Sequence, residues 1–371
     1  MIPISHLFLT LLSLTILVFI WTLSVEYFES YFSIRTYYHH NLEDKVPLIV
    51  LWTGFFKKPE PNLFDNVTEM PENCPYKCNV IRRAKLHLYP NTIPSAYIFH
   101  AWNVTLDDLP KPRYARQLYV IFNLEPPTHI HKPIFMLPYD FFNATMTYTL
   151  DSDYFQPYHL IEPINSSQIY KDNDIWTQKK IEEKLKLKTH TAFAIISNCR
   201  TQSRREKYIE ELRKHMRVTV MGKCYNDKQC DNKCLKKLAE EHRFYLAFEN
   251  SICKDYITEK FYFRLLELLV PVVMNRSIYE GNFNVPKNSF IAADDFSSPK
   301  ELANHLVNLT IDDGEYLKHL SWTKHYTTRL CKSQVMCEMC RDLHIGKKKS
   351  VNFIHYFVRN QCYAPDRILR F

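Results

Sequence analysis

Eight short apolar runs constrain the fold of this chain more than any other feature. VPLIVLW (46–52), AYIFHAW (96–102) and QLYVIFNL (117–124) come first; TAFAIIS (191–197), VTVMG (218–222), FYLAF (244–248), VPVVM (270–274) and SFIAAD (289–294) follow. Runs this short, apolar without alternation, read as strands buried on both faces. Between the later runs the period changes. SRREKYIEELRKHM places Tyr208, Ile209, Leu212 and Met216 at helical spacing, and 257–269 reads as a helix. SPKELANHLVNL (298–309) opens with Ser298 as an N-cap and Glu301 three residues on. Strands alternating with helices imply parallel βαβ units, and two such series imply two α/β domains facing each other. Residues 150–188 read as a linker ending in a helix.

Composition removes several function classes. Only five glycines occur in 371 residues, and neither GxGxxG nor GxxxxGK[ST] is present, so no glycine-rich phosphate loop is available. The net charge of +8 suits an anionic ligand. The positive residues are too dispersed for a nucleic-acid surface, and no nucleic-acid partner is expected.

The N-terminus points to a membrane. Residues 7–25 carry no charge, which matches the ~20 apolar residues a spanning helix needs. No basic leader region or small-residue cleavage site accompanies them, so an uncleaved signal-anchor is expected. The organisation read from this is a cytoplasmic tail at 1–6, a span at 7–25, a stem at 26–45 and a translocated remainder. Six Asn-x-Ser/Thr sequons, at Asn66, Asn103, Asn143, Asn165, Asn275 and Asn308, agree with that address. So do eleven cysteines. In a translocated chain the Cys337-x-x-Cys340 pair is expected in disulfides rather than in half a zinc site, and the odd count leaves one thiol free or paired between chains.

Open parallel sheets bind ligands beyond the carboxyl ends of their strands. Two places satisfy that rule. Glu125, in IFNLEPPTH, follows a strand and precedes two prolines, as a general base would; a glutamate capping a turn is the alternative. Asn250, Tyr256, Glu259 and Lys260 crowd the end of FYLAF and enter the next helix, whose N-terminus can receive a phosphate. Arg205, at the start of the helix after TAFAIIS, can add a bidentate contact. A solvated polar loop is the alternative there. DSD (151–153) and DND (172–174) match a short metal-binding pattern, though aspartates of this kind more often form turns.

FYLAFENSICKDYITEKF, followed by VPVVM and FSSPKELA, resembles the donor-binding region of the α-1,3-fucosyltransferase family. IFNLEPPTH, FNATMTY, DSD, FAIISNC and the CEMC pair extend the resemblance over about residues 46–345. It implies two Rossmann-like domains facing a cleft, the GT-B arrangement, preceded by the transmembrane helix. Residues 46–170 would bind the acceptor and 190–330 the donor GDP-fucose, with 331–371 a cysteine-containing segment. The implied reaction moves L-fucose with inversion to the 3-OH of N-acetylglucosamine (GlcNAc) in a glycan. Glu125 corresponds to the family's base, and Arg205, Asn250, Tyr256, Glu259 and Lys260 to its donor contacts. Cys74 and Cys78 would form disulfides with Cys337 and Cys340. No cofactor is obligatory, and a divalent cation (Mn2+ or Mg2+) is at most a stimulant. The implied address is the Golgi membrane, single-pass type II, with the catalytic region lumenal. Two rivals are a catalytically silent GDP- or glycan-binding relative and a metal-dependent transferase using Asp151 and Asp153. Asn275 stands where the family commonly has glycine, and a glycan there is expected to be sparse. Acceptor choice is expected in residues 53–120, which hold no readable motif.

Overall fold

The computed structural model describes residues 46–56, 67–165, 175–225, 230–281, 285–329, 334–347, 349, 356–357 and 361–365. The apolar span at 7–25, the stem at 26–45, Asn66 and Cys331 lie outside these residues. Among those described, no helix is long and apolar enough to cross a membrane.

The first sheet has six parallel strands: β1 (Leu48–Leu51), β2 (Asn79–Arg82), β3 (Ala96–His100), β4 (Leu118–Asn123), β5 (Ala144–Thr147) and β6 (Tyr154–Phe155). Their order is β2-β1-β3-β4-β5-β6. Every residue of β1, β3 and β4 is buried, as their unbroken apolar character requires. The connections differ from the expected helices. Among the described residues they carry 3-10 turns at Arg83–Leu88, Ala101–Asn103, Pro127–His129 and Lys132–Met136. Proline is the reason: Pro90, Pro94, Pro110, Pro112, Pro126, Pro127, Pro133 and Pro138 punctuate this stretch, and each removes a backbone donor a helix would need.

After β7 (Leu160–Pro163) and α1 (Gln178–Leu185) the second series begins. It runs β8 (His190–Ile195), α2 (Arg205–Leu212), β9 (Val218–Met221), α3 (Asn232–Glu241), β10 (His242–Leu246), α4 (Glu259–Leu266), β11 (Val270–Val273) and β12 (Ile291–Ala292). The sheet order is β12-β11-β10-β8-β9, again all parallel. Both sheets thus reverse direction between their first and third strands, giving switch points at β1/β3 and β8/β10. Next come α5 (Pro299–Ile311), α6 (Asp313–Lys318), β13 (Tyr326–Arg329), which pairs antiparallel with β7, and α7 (Val335–His344). Ser298 caps α5 by accepting from Glu301 N at 3.3 Å. The helix expected at 257–269 is shorter, because Thr258 is the N-cap of α4 and Leu268 turns left-handed with φ 52°.

The chain end returns to the first domain. Val335, Met336 and Met339 of α7, with Phe357, join the first sheet's core. Disulfides Cys74–Cys337 and Cys78–Cys340 tie α7 there, the first across 263 residues. By loop entropy such a closure stabilises by about 5 kcal/mol. Cys199–Cys224, Cys230–Cys234 and Cys253–Cys362 complete the pairs among the described cysteines.

The sequons fall in different surroundings. Asn308 and Asn165 are exposed. Asn143 has its amide engaged by the sheet, accepting from Tyr119 N at 2.7 Å and donating to Gln117 O at 2.9 Å. Asn103 likewise holds Phe56, at N and at O, and His100. Asn275 accepts from Ser277 N and Oγ; its φ of −131° is extended, so the family's glycine is not replaced by a left-handed residue.

Three buried histidines give the fold an acid limit. Burial pushes His100, His159 and His242 down to about 4 each. Unfolded, each would titrate near 6.5, so the unfolded state binds more protons below that value. Stability is therefore full above pH 6.5 and is lost progressively down to pH 4. At pH 5 the expected loss is about 1–2 kcal/mol per histidine, measurable as a falling urea midpoint, and His100→Asn should flatten part of the slope.

Candidate active site

The β8/β10 switch point builds one wall of the site. The loop leaving β8 is tied to the end of β9 by Cys199–Cys224 and enters α2 through Arg204, which is left-handed at φ 50°. No side chain caps α2. Arg205, its first residue, is 4% exposed. Its Nη1 donates to Phe248 O at 2.7 Å, while Nε has no hydrogen-bond partner among the described residues. Beyond β10, Asn250 Oδ1 is also buried without a partner. Orphaned buried polar atoms are costly, and two at one sheet edge mark where a polar ligand would complete the structure.

The segment after β10 also carries an ion cluster. Lys260 Nζ lies 3.2 Å from both Glu249 and Glu259 and donates to Thr258 Oγ1 at 2.9 Å. Burial disfavours the ammonium, but the two carboxylates outweigh this and hold Lys260 well above the usual lysine range. Burial raises Glu249, with Lys260 and Thr258 opposing it. Glu259 is also pushed up by burial, but Lys260 and its hydrogen bonds bring it below the usual range; its side chain is 45% exposed and free to meet a ligand. The Arg205 charge opposes that of Lys260, so two cations face one region.

One expectation is corrected here. The N-terminus of α4 is not open to a phosphate: Thr258 N donates to Glu249 at 2.9 Å, and Thr258 Oγ1 accepts from Lys260 N. The N-terminus of α2, by contrast, has no side-chain cap. Tyr256, expected as a donor contact, is buried. Its ring is buried within the first sheet's core, 5.1 Å from Tyr148 and 6.3 Å from Tyr158.

The opposite wall is the carboxyl edge of the first sheet. Glu125 follows β4, and its backbone is fixed on both sides by Asn123, which donates to Glu125 O at 2.7 Å and accepts from Glu125 N at 3.3 Å. Its Oε2 lies 3.5 Å from His129 Nδ1, and the side chain is 30% exposed. Burial first, and then the Glu125 charge among others, keeps Tyr148, Tyr158 and Tyr256 protonated. On the same edge Trp102 is 38% exposed and stacks on His131, with centroids 5.7 Å apart. The two walls touch directly: Thr128 and Ser251 share a hydrogen bond of 2.7 Å.

Asp151 and Asp153 do not form a metal pair. Asp151 is held by Lys254 and Tyr356, each at 3.1 Å. Asp153 accepts from Thr145 N at 2.9 Å and meets Lys349 at 3.3 Å. The metal-like grouping found among the described residues is Cys78, Cys340 and His344, and its two sulfurs are already joined to each other. Sequence reasoning missed Glu249, Thr258, Thr128 and Ser251 as site residues. Glu249 was legible as the carboxylate directly after a buried strand; the Thr128–Ser251 contact joins positions 123 residues apart and leaves no local signal.

The fucosyltransferase N-terminal domain matches residues 44–159, and the glycosyltransferase family 10 (fucosyltransferase) C-terminal domain matches residues 185–357. The chain belongs to glycosyltransferase family 10, the fucosyltransferases. This fucosyltransferase is 36% identical over 307 residues to 4-galactosyl-N-acetylglucosaminide 3-alpha-L-fucosyltransferase FUT6 of Pongo pygmaeus, covering 80% of this chain and 78% of that one. It is 30% identical over 334 residues to alpha-(1,3)-fucosyltransferase C of Drosophila melanogaster, covering 82% and 75%. A crystal structure of an alpha1,3-fucosyltransferase with GDP-fucose superposes with a TM-score of 0.49 at 14% identity, over 86% of this chain and 97% of that one. The fucosyltransferase is thus a glycosyltransferase enzyme of the α-1,3-fucosyltransferase family.

Proposed function

We propose that this fucosyltransferase carries L-fucose from GDP-fucose to the 3-hydroxyl of a GlcNAc residue in a glycan, inverting the anomeric carbon. The observation that carries the reading is the pair of buried, unpartnered atoms at the β8/β10 switch point, Arg205 Nε and Asn250 Oδ1, on the wall opposite Glu125. Arg205 and Lys260 receive the pyrophosphate, Asn250 binds the donor, and the exposed Glu259 carboxylate accepts from sugar hydroxyls. Tyr256 supports the donor loop from beneath. Glu125 takes the proton of the acceptor hydroxyl as its oxygen bonds to the fucose C1. The C1–O bond to phosphate breaks, and its electron pair leaves with GDP. Arg205 and Lys260 stabilise the charge that develops there, so no metal is obligatory. Trp102 and His131 offer the acceptor an aromatic surface on the edge that carries Glu125.

The anchor at 7–25 would hold the enzyme as a single-pass type II protein of the Golgi membrane, its catalytic region in the lumen. The test is transfer of labelled fucose by residues 46–371 to an array of GlcNAc-terminated, lactosamine and N-glycan core acceptors. Transfer that persists in EDTA is expected. GDP binding without turnover on any acceptor would make the chain a silent binder instead, and loss of transfer in EDTA would overturn the metal-free reading.

A further inference from the structure

We propose that Thr128 and Ser251 are positioning residues, whose shared hydrogen bond ties the loop bearing the base to the loop that holds the donor. The inference rests on the fucosyl-transfer reading above. Thr128 Oγ1 and Ser251 Oγ lie 2.7 Å apart; Ser251 is fully buried and Thr128 is exposed.

The base loop behaves as one piece. Asn123, fully buried at the end of β4, pins Glu125 through both backbone groups. Pro126 and Pro127 follow, with φ fixed by their rings. His129 N donates to Pro126 O at 2.9 Å, closing the turn, and Tyr158 Oη donates to Leu124 O at 2.6 Å from behind. This segment is therefore anchored to its own sheet at Asn123 and to the other domain at Thr128, with Glu125 between.

The partner loop is equally committed to the donor side. Asn250 O accepts from Ser203 N at 3.1 Å, and Ile252 N donates to Gln202 Oε1 at 2.9 Å. Both partners lie in the loop that delivers Arg205 to the head of α2. Cys253, two residues beyond Ser251, is bonded to Cys362, and backbone hydrogen bonds of 2.7 Å flank that bond on both sides. Ser251 is thus held by the same framework that places Arg205 and Asn250. A bond from it to Thr128 fixes the distance between the base and the donor, which is the quantity that transfer depends on. A misplacement of about 1 Å at a reacting centre can cost about 100-fold in rate.

The test uses the full chain with GDP-fucose and a working acceptor. Thr128→Val keeps the shape and removes the hydroxyl. Thr128→Val leaves the buried Ser251 hydroxyl without its partner, so the melting temperature should fall by a few degrees; GDP affinity should stay within error of the unchanged protein, while kcat falls about tenfold. Thr128→Ser should restore kcat. Ser251→Ala should lower kcat similarly, and the double variant should be no worse than either single one, since both remove one bond. A kcat for Thr128→Val within twofold of the unchanged protein would overturn the inference. So would a loss that tracks GDP affinity, or single effects that multiply in the double variant. An unchanged chain that transfers no fucose overturns the functional reading itself, and this inference with it, before any variant is compared.

Discussion

Replacing Glu125 with glutamine should lower fucose transfer by about a thousandfold while leaving GDP affinity within about twofold, the range expected when a positioned general base loses its charge. Glutamine keeps the volume of the side chain and can still meet His129, which lies 3.5 Å from the carboxylate. Asn123 holds Glu125 only through its backbone N–H and C=O, so the loop should keep its course. What disappears is the ability to take the acceptor's proton. Arg205, Glu249, Asn250, Glu259 and Lys260, where the donor is proposed to bind, lie on the second sheet's edge and are untouched. A kcat measured at saturating donor separates the two effects. A loss confined to KM for the donor would mean that Glu125 binds nucleotide and is not the base.

Lys260→Met should weaken GDP binding by roughly 100-fold and also destabilise the fold by about 3 kcal/mol. The two effects have different causes. The first is the missing ammonium opposite the pyrophosphate. The second is Glu249, which is 6% exposed and would keep its Thr258 hydrogen bonds but lose its cation. Burial already raises Glu249, and without Lys260 it rises further. A carboxyl whose folded value is raised binds its proton more readily folded than unfolded, so its penalty grows as pH rises through the carboxylate range and shrinks on acidification. Adding Glu249→Gln to Lys260→Met should therefore recover the melting temperature and leave GDP binding weak. Recovery of both, followed by calorimetry and thermal unfolding, would assign Lys260 a purely structural role.

The strands that carry the site were legible because they are short and unbroken in apolar character. VPLIVLW, QLYVIFNL and FYLAF became β1, β4 and β10 with one or two residues of adjustment. β5, sequence ATMT, was not legible. All four of its residues are buried, but two are threonines whose hydroxyls find Asp153 and Ser152 in the turn that follows, so a polar strand is satisfied from outside its own sequence. The expected helices between the first strands failed on proline, which the sequence displayed but the α/β pattern outweighed. Glu125, Arg205 and Asn250 stood out as candidates because each follows a buried strand. That Arg205 and Asn250 share one edge depends on β8 lying beside β10, and sheet order is a tertiary fact. The burial of Tyr256 was not legible. The residue stands in the polar run after β10, but a bonded Cys253 and the returning chain end carry that loop into the other domain's core.

The most direct test is a structure of the catalytic region with GDP-fucose bound. The account predicts the pyrophosphate against Arg205 and Lys260 at the mouth of β8 and β10, Asn250 Oδ1 hydrogen-bonded to the donor, and the Glu125 carboxylate facing the side of the fucose C1 away from phosphate. A donor bound elsewhere, or one whose C1 is shielded from Glu125 on that side, would contradict it.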